Sequence, residues 1–314
     1  AGRTSAQQPS ALALPMKIYA CRSFAWSLVA LLSLVALGGP ASRAAAQTTA
    51  EGFAVDRFDP SERGSDFFVL DTLDFRDKHP SIGVVGDYAY KPLVFYDQNG
   101  DEAQALIRHQ LFLHLGASWV IAERLRLAAN LPIAAVVSGQ PGTIGTTTFG
   151  LAEGGDIGDL RLSADVLLFG EYRGVASLAF GASVWLPTGS RESYTGDGKA
   201  RLSPHVMLAG DIGAFVYAAK LGVNVRFQDD SLADASLGSE LALSAAMGVR
   251  VADGNLLLGP ELSTSTLLNE DAFSKTGTPV EVLLGGHYCI ADTVRLGAGV
   301  GPGLSKGFGS PSLR

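Results

Sequence analysis

The sequence predicts an all-β chain, an antiparallel transmembrane β-barrel of about fourteen strands preceded by a signal peptide. Three observations carry that expectation. Short segments alternate apolar and polar residues from about Phe53 to the last residue. Tight turns and long polar loops take turns in joining them. The single long apolar stretch, Phe24 to Leu37, sits near the N-terminus behind a basic run, where an export signal belongs.

The first element is that signal. Met16-Lys-Ile-Tyr-Ala-Cys-Arg22 is basic, Phe24 to Leu37 is uncharged, and Pro40-Ala-Ser-Arg-Ala-Ala-Ala46 offers small residues for cleavage, most simply after Ala46. The apolar stretch is short for a membrane-spanning helix. Residues 1–15 lie upstream of a plausible initiator, Met16, and with the signal form a segment 1–46 outside the fold. Cleavage would remove Cys21 and leave Cys289, so no intramolecular disulfide is expected.

Strands are predicted over 52–58, 66–76, 81–96, 108–121, 124–138, 159–169, 175–188, 200–211, 214–227, 239–252, 255–268, 278–291 and 293–305. The clearest is Phe215-Val-Tyr-Ala-Ala-Lys-Leu-Gly-Val-Asn-Val-Arg-Phe227, with Phe215, Tyr217, Leu221, Val223 and Val225 on one side and Lys220, Asn224 and Arg226 on the other. Strand side chains alternate faces with period two, so one face is apolar and the other charged. Tight connections fall near Asp77-Lys-His-Pro80, Ala122-Glu123, Glu171–Gly174, Asp211–Gly213, Asp253-Gly254 and Ala291–Thr293. Long ones fall near Asp97–Ala105, Gly139–Gly158, Gly189–Lys199, Gln228–Gly238 and Asn269–Gly277. Bacterial outer-membrane barrels sort their loops in this way, with short periplasmic turns and longer external loops.

These barrels use even strand numbers, so a last, downward strand is expected to start at Ser310-Pro-Ser-Leu-Arg314, where the sequence stops. The barrel, 47–314, is therefore expected to lack its last strand. If 52–58 is not a strand, the count falls to about twelve.

The outward face reads Leu111, Leu113, Leu115, Ala117 and Trp119 on one strand and Leu241, Leu243, Ala245, Met247, Val249 and Val251 on another. It carries no charge, as a lipid-facing band requires. Tyr88, Tyr90, Trp119, Tyr217 and Tyr288 suit interfacial girdles. The inward face gathers charges of both signs. Asp87, Lys91, His114, Arg126, Asp165, His205, Lys220, Arg226, Glu240, Arg250, Glu261, Glu281 and Arg295 are the predicted lumen-lining residues. Salt-bridge ladders holding the wall are the commoner use of such groups. Small inward residues such as Ser163, Gly181, Ser183, Gly222 and Gly299 leave volume free, which favours a cavity over a filled core.

Composition narrows the function. The chain has 314 residues, 47% hydrophobic and 18% charged, with 38 Gly and net charge −7. That balance suits one large β domain and argues against nucleic-acid binding, which calls for a basic face. Gly297-Ala-Gly-Val-Gly301-Pro-Gly303 lacks the following helix that a phosphate loop needs. Gly154-Gly-Asp-Ile-Gly-Asp-Leu160 and Gly196-Asp-Gly198 read as Gly-Asp turns rather than calcium loops, since further acidic ligands are missing. His109 and His114 fall on opposite strand faces and cannot chelate together. No catalytic set, metal site or cofactor is expected, and the chain is not expected to be an enzyme.

Two resemblances follow. Gly155-Asp-Ile-Gly-Asp-Leu160, the strand ending Leu186-Pro-Thr-Gly189, and the loop Gly196-Asp-Gly-Lys199 with Pro204 resemble the phenol-degradation meta-pathway family of transporter-like barrels, distant relatives of FadL-type channels. Ser61-Glu-Arg-Gly-Ser-Asp-Phe-Phe68, Gly83–Pro92 and His109–His114 resemble the N-terminal barrels of large OmpA-family proteins, which implies peptidoglycan as a partner through a domain that no residue here supplies. The expectation is a Gram-negative outer-membrane barrel in contact with lipid. It would serve as a passive channel for small solutes or as the anchor of an OmpA-type envelope protein. The alternative is a purely structural anchor with a closed, salt-bridged interior. A lipid-acting enzyme using His205 or His287, and a soluble periplasmic sandwich, are lesser readings.

Overall fold

The computed structural model describes residues 49–314 except 51, 77–79, 98, 145–146, 151–152, 228–229, 233–234, 270–271 and 292. The expected signal segment, its cleavage site and the centre of the turn near Asp77 lie outside the described residues.

Twelve antiparallel strands form one sheet. In chain order they are β1 (Ser81–Tyr96), β2 (Glu102–Ile121), β3 (Leu125–Gly139), β4 (Glu153–Ile157), β5 (Leu160–Phe169), β6 (Ser177–Leu186), β7 (Arg201–Ile212), β8 (Phe215–Arg226), β9 (Glu240–Val251), β10 (Leu256–Leu267), β11 (Val280–Ile290) and β12 (Val294–Val300). Each pairs with its sequence neighbour, except that β4 and β5 share β3 as successive halves of one wall position. Such up-and-down pairing lets every interior strand satisfy its N–H and C=O groups laterally, the condition for crossing lipid.

The sheet curls until its edges meet. Tyr90 of β1 exchanges backbone hydrogen bonds with Leu313 and Ser312, and Gly301, just past β12, exchanges them with Arg314. The segment Ser310–Arg314 therefore stands between the first and last strands near the long-loop end. Below it, the facing edges of β12 and of lower β1 have no strand partner among the described residues.

The loops sort by end. The hairpins at Ala122-Glu123 and Ala252-Asp253 put successive residues at φ between 51° and 56°, the left-handed geometry of two-residue turns whose twist matches that of their strands. The opposite end carries the long connections.

The outward face is apolar and open. Ile82, Leu113, Leu115, Leu162, Phe180, Leu243, Val249, Leu284 and Leu296 are each at least 40% exposed. No second layer covers them, which sets aside the sandwich reading. Trp119, Tyr217 and Tyr288 lie two residues from the tight-turn ends of β2, β8 and β11, where an aromatic girdle belongs.

The first two predicted strands do not form. Residues 52–58 and 66–76 carry no strand structure; the whole segment from Gly52 to Arg76 runs as irregular chain inside the barrel. This removes both from the expected fourteen. The alternation of Phe53, Val55 and Phe58 that suggested a strand instead aims side chains at the lumen wall. The segment is held instead by wall side chains that bond its backbone, Arg161 to the Pro60 carbonyl and Glu261 to the Phe68 and Val69 N–H groups.

Candidate functional site

The interior is the site, and the 52–76 segment, the plug, fills it. Two apolar clusters hold it. Near the long loops, Phe53 and Val55 pack with Leu93, Ile107, Phe112, Val137, Phe149 and Tyr194. Near the tight turns, Phe67, Leu70, Leu73 and Phe75 pack with Val120, Met207, Val216 and Leu257. Ten or so buried side chains of this kind supply roughly 1.5–3 kcal/mol each against exposure.

Small wall residues make room for it. A Cβ added to Gly116 would meet the Glu62 carbonyl oxygen at 1.6 Å, and one added to Gly299 would meet the Phe68 ring at 2.6 Å. The free volume expected from small inward residues is taken up by the Phe68 ring at Gly299 and by the wall's own Asp165 and His205 at Gly181 and Gly222. Two interior cavities among the described residues measure about 30 and about 20 Å³, each room for a water molecule or so and not for a solute.

Charges join plug to wall. Arg126 reaches Asp71 of the plug at 2.7 Å and Asp165 of β5 at 2.9 Å. Arg161 contacts Asp59 at 3.2 Å and Glu62 at 3.3 Å, and donates to the Pro60 carbonyl. Asp66 gathers Arg250 at 2.8 Å, Arg295 at 3.2 Å and the Tyr172 hydroxyl at 3.1 Å. Glu261 accepts the backbone N–H groups of Phe68 and Val69 at 2.6 and 2.9 Å. In the reverse sense, Arg57 of the plug reaches Glu240 at 2.6 Å. Buried charges need such partners, since an unpaired one costs several kcal/mol.

The predicted lumen residues divide on this geometry. Arg126, Asp165, Glu240, Glu261 and Glu281 are buried. Arg250 and Arg295 are half-buried and meet Asp66 toward the tight turns. Asp87 and Glu281 both bind the Arg314 guanidinium. His205 Nε2 contacts Asp165 at 2.9 Å, and its Nδ1 lies 3.0 Å from the Ser203 carbonyl, which fixes the ring against the wall. Lys220 faces the smaller cavity. Arg226 sits between Glu240 at 3.6 Å and Asp197 at 3.4 Å. Lys91 does not join them. It lies at a β-bulge with φ 54°, where the alternation resets, and it pairs with Glu102 on the exposed rim at 2.5 Å. Of the histidines, His287 meets the Phe68 ring at a tilt of 58°, with ring centroids 4.3 Å apart.

Sequence reasoning missed the plug's own groups. Asp56, Asp87 and His114 bring ligand atoms within 4.8 Å of one another, a spacing that could suit a cation. The Arg314 guanidinium contacts both carboxylates of that group, so a cation from the chain already answers it. The signal for the missed residues was the acidic run Asp56, Asp59, Glu62, Asp66 and Asp71, an odd content for a strand meant to face lipid.

The Gly-Asp motifs form a rim knot. Asp159 accepts the N–H groups of Gly189 and Asp197, both at 3.1 Å, and lies 3.5 Å from Arg201. Thr188 Oγ1 accepts from Leu160 N–H at 2.9 Å and donates to the Gly158 carbonyl at 2.7 Å. Asp197 in turn accepts the N–H of Ala54 at 2.9 Å, tying the plug's entry to the rim. Burial raises the Asp197 carboxyl, but Arg201 and Arg226 more than offset this and hold it below its ordinary value. Calcium is not needed to account for these carboxylates, because arginines and backbone donors meet them.

Residues 95–306 match the family described as "Putative MetA-pathway of phenol degradation". The chain belongs to that family. The match spans β2 to β12 and includes the rim knot, so the matched part is the wall and its loops, while the whole plug precedes it. In fold, this member is similar to the COG4313 outer membrane channel from Pseudomonas putida F1, at 15% identity and a TM-score of 0.53, over 74% of this chain and 90% of that one. No curated protein matches the chain. In fold the protein is thus an antiparallel β-barrel like that of the channel it resembles.

Proposed function

We propose that this family member is an outer-membrane channel for the passive passage of small molecules, with its lumen closed by the 52–76 plug. The exposed apolar band and the likeness in fold to a channel support the membrane reading. The observation that carries the closed state is the pairing of wall arginines with plug carboxylates, led by Arg161 with Asp59 and Glu62. The plug is held by side chains and not by a strand ladder, so it can move without unzipping the wall. Export by an N-terminal signal cleaved after Ala46 accords with this location.

Planar-bilayer recording tests it, comparing the refolded chain with Gly116→Val. The new side chain would push Glu62 off the wall, and open time should rise over the rare, brief steps of the parent. Silence from both, in protein that migrates as a heat-modifiable barrel, would favour a second reading. That reading is a structural outer-membrane anchor with a closed, salt-bridged interior, and its wider form is an OmpA-type envelope protein bound to peptidoglycan. The filled lumen is the observation in its favour.

A further inference from the structure

Inside the barrel, one plug carboxylate is held as a bound ligand would be. Glu62 Oε1 accepts a hydrogen bond from Ser163 Oγ at 2.7 Å and lies 3.3 Å from Arg161 Nε. Ser163 is backed by the Ser183 hydroxyl at 2.9 Å. The cavity of about 20 Å³ beside them is lined by Glu62, Arg126, Arg161 and Lys220 among others. Arg126 and Arg161 are each only 3% exposed. Arg161 Nε faces Glu62 Oε1 without a well-aligned hydrogen bond, while Arg126 Nη1 is taken by Asp71 of the plug at 2.7 Å. Lys220 has no carboxylate within ion-pair reach among the described residues. The wall's own carboxylate here is Asp165, already engaged by Arg126 and His205. Without the plug, three cationic side chains would face that one acid.

We propose that the wall carries a carboxylate-binding station, formed by Arg161 and Ser163 with Arg126 and Lys220 behind them, that Glu62 occupies as a tethered ligand. The solutes of the channel are then small organic carboxylates, which compete with Glu62 and so favour the plug's release. Ser163 and Arg161 converge on one carboxylate oxygen, Glu62 Oε1, and a charged donor beside a hydroxyl suits an anionic oxygen. A neutral solute would leave the same donors unanswered, at a cost that a carboxylate avoids. This assignment rests on the channel reading for its meaning, but the station itself is tested without any conductance.

The test is chemical rescue. Glu62→Ala removes the tethered carboxylate and leaves a space the size of acetate. Calorimetric titration of the detergent-refolded, full-length variant with sodium acetate, against sodium chloride as control, should show saturable binding. The parent chain and Glu62→Gln, whose amide still fills the space, should show none. Glu62→Ala combined with Arg161→Gln should bind acetate about tenfold more weakly or worse, the worth of one charge-assisted hydrogen bond. Equal heats in all four proteins, or binding that survives loss of Arg161, would overturn the station while leaving the channel open to bilayer recording. If Glu62→Ala refolds to a heat-modifiable barrel only in acetate, the station is supported; if it fails to refold in acetate as well, the proposal falls.

Discussion

The wall and the plug are built from similar sequence and reach opposite ends. Both Phe215–Phe227 and Phe53–Phe58 mix apolar with charged residues as a two-faced strand does, though only the first alternates strictly. In the wall, that alternation sorts lipid-facing from lumen-facing side chains, and lateral hydrogen bonds fix the register. In the plug, the same pattern has no ladder. Its backbone is irregular, and its positions are set by side chains reaching wall residues far away in sequence. A period-two pattern therefore marks which side chains share a face, but only an available sheet edge turns it into a strand.

That contrast can be broken where the two regions meet. The largest effect is expected from Arg126→Ala, which would leave Asp71 of the plug and Asp165 of the wall without their shared partner. Loss of a buried pair of this kind costs about 3–5 kcal/mol. Urea unfolding of the barrel in lipid vesicles measures it, and a midpoint equal to the parent's would mean that water, not Arg126, satisfies those carboxylates.

A charge on the outer face probes the wall alone. Leu243 lies mid-strand and 42% exposed. Leu243→Arg should destabilise the folded barrel by about 2–4 kcal/mol in bilayers, while leaving the plug's accessibility to trypsin at Arg57 and Arg63 as in the parent. Faster cleavage there would show that wall and plug are energetically one unit. The smallest effect belongs to Lys91→Ala. Because Lys91 is on the rim and paired only with Glu102, neither the unfolding midpoint nor trypsin sensitivity should change. A shift in either would return Lys91 to the lumen side of the bulge.

Much of this was readable from the residues. Leu241 to Val251 announces a lipid face at alternate positions, Ala122-Glu123 and Asp253-Gly254 announce turns, and Arg126, Asp165 and Glu240 announce an inside that tolerates charge. Lys91 misled because a β-bulge is invisible to strict alternation: the register shift between Tyr90 and Leu93 changes which side follows. The small residues at Ser163 and Gly299 misled differently. They do leave volume in the wall, yet a sequence pattern cannot say what fills it.

The sequence by itself determined the wall: the strand order, the two faces and the sorting of the loops, all of which rest on local periodicity and on turn chemistry between neighbours. Only the tertiary structure decided that residues 52–76 close the lumen. Its contacts join Pro60 to Arg161 and Phe68 to Glu261, pairs 101 and 193 residues apart. Such pairs leave no periodic trace in either segment, because each side chain is chosen to match a distant partner's charge and shape rather than its own neighbours.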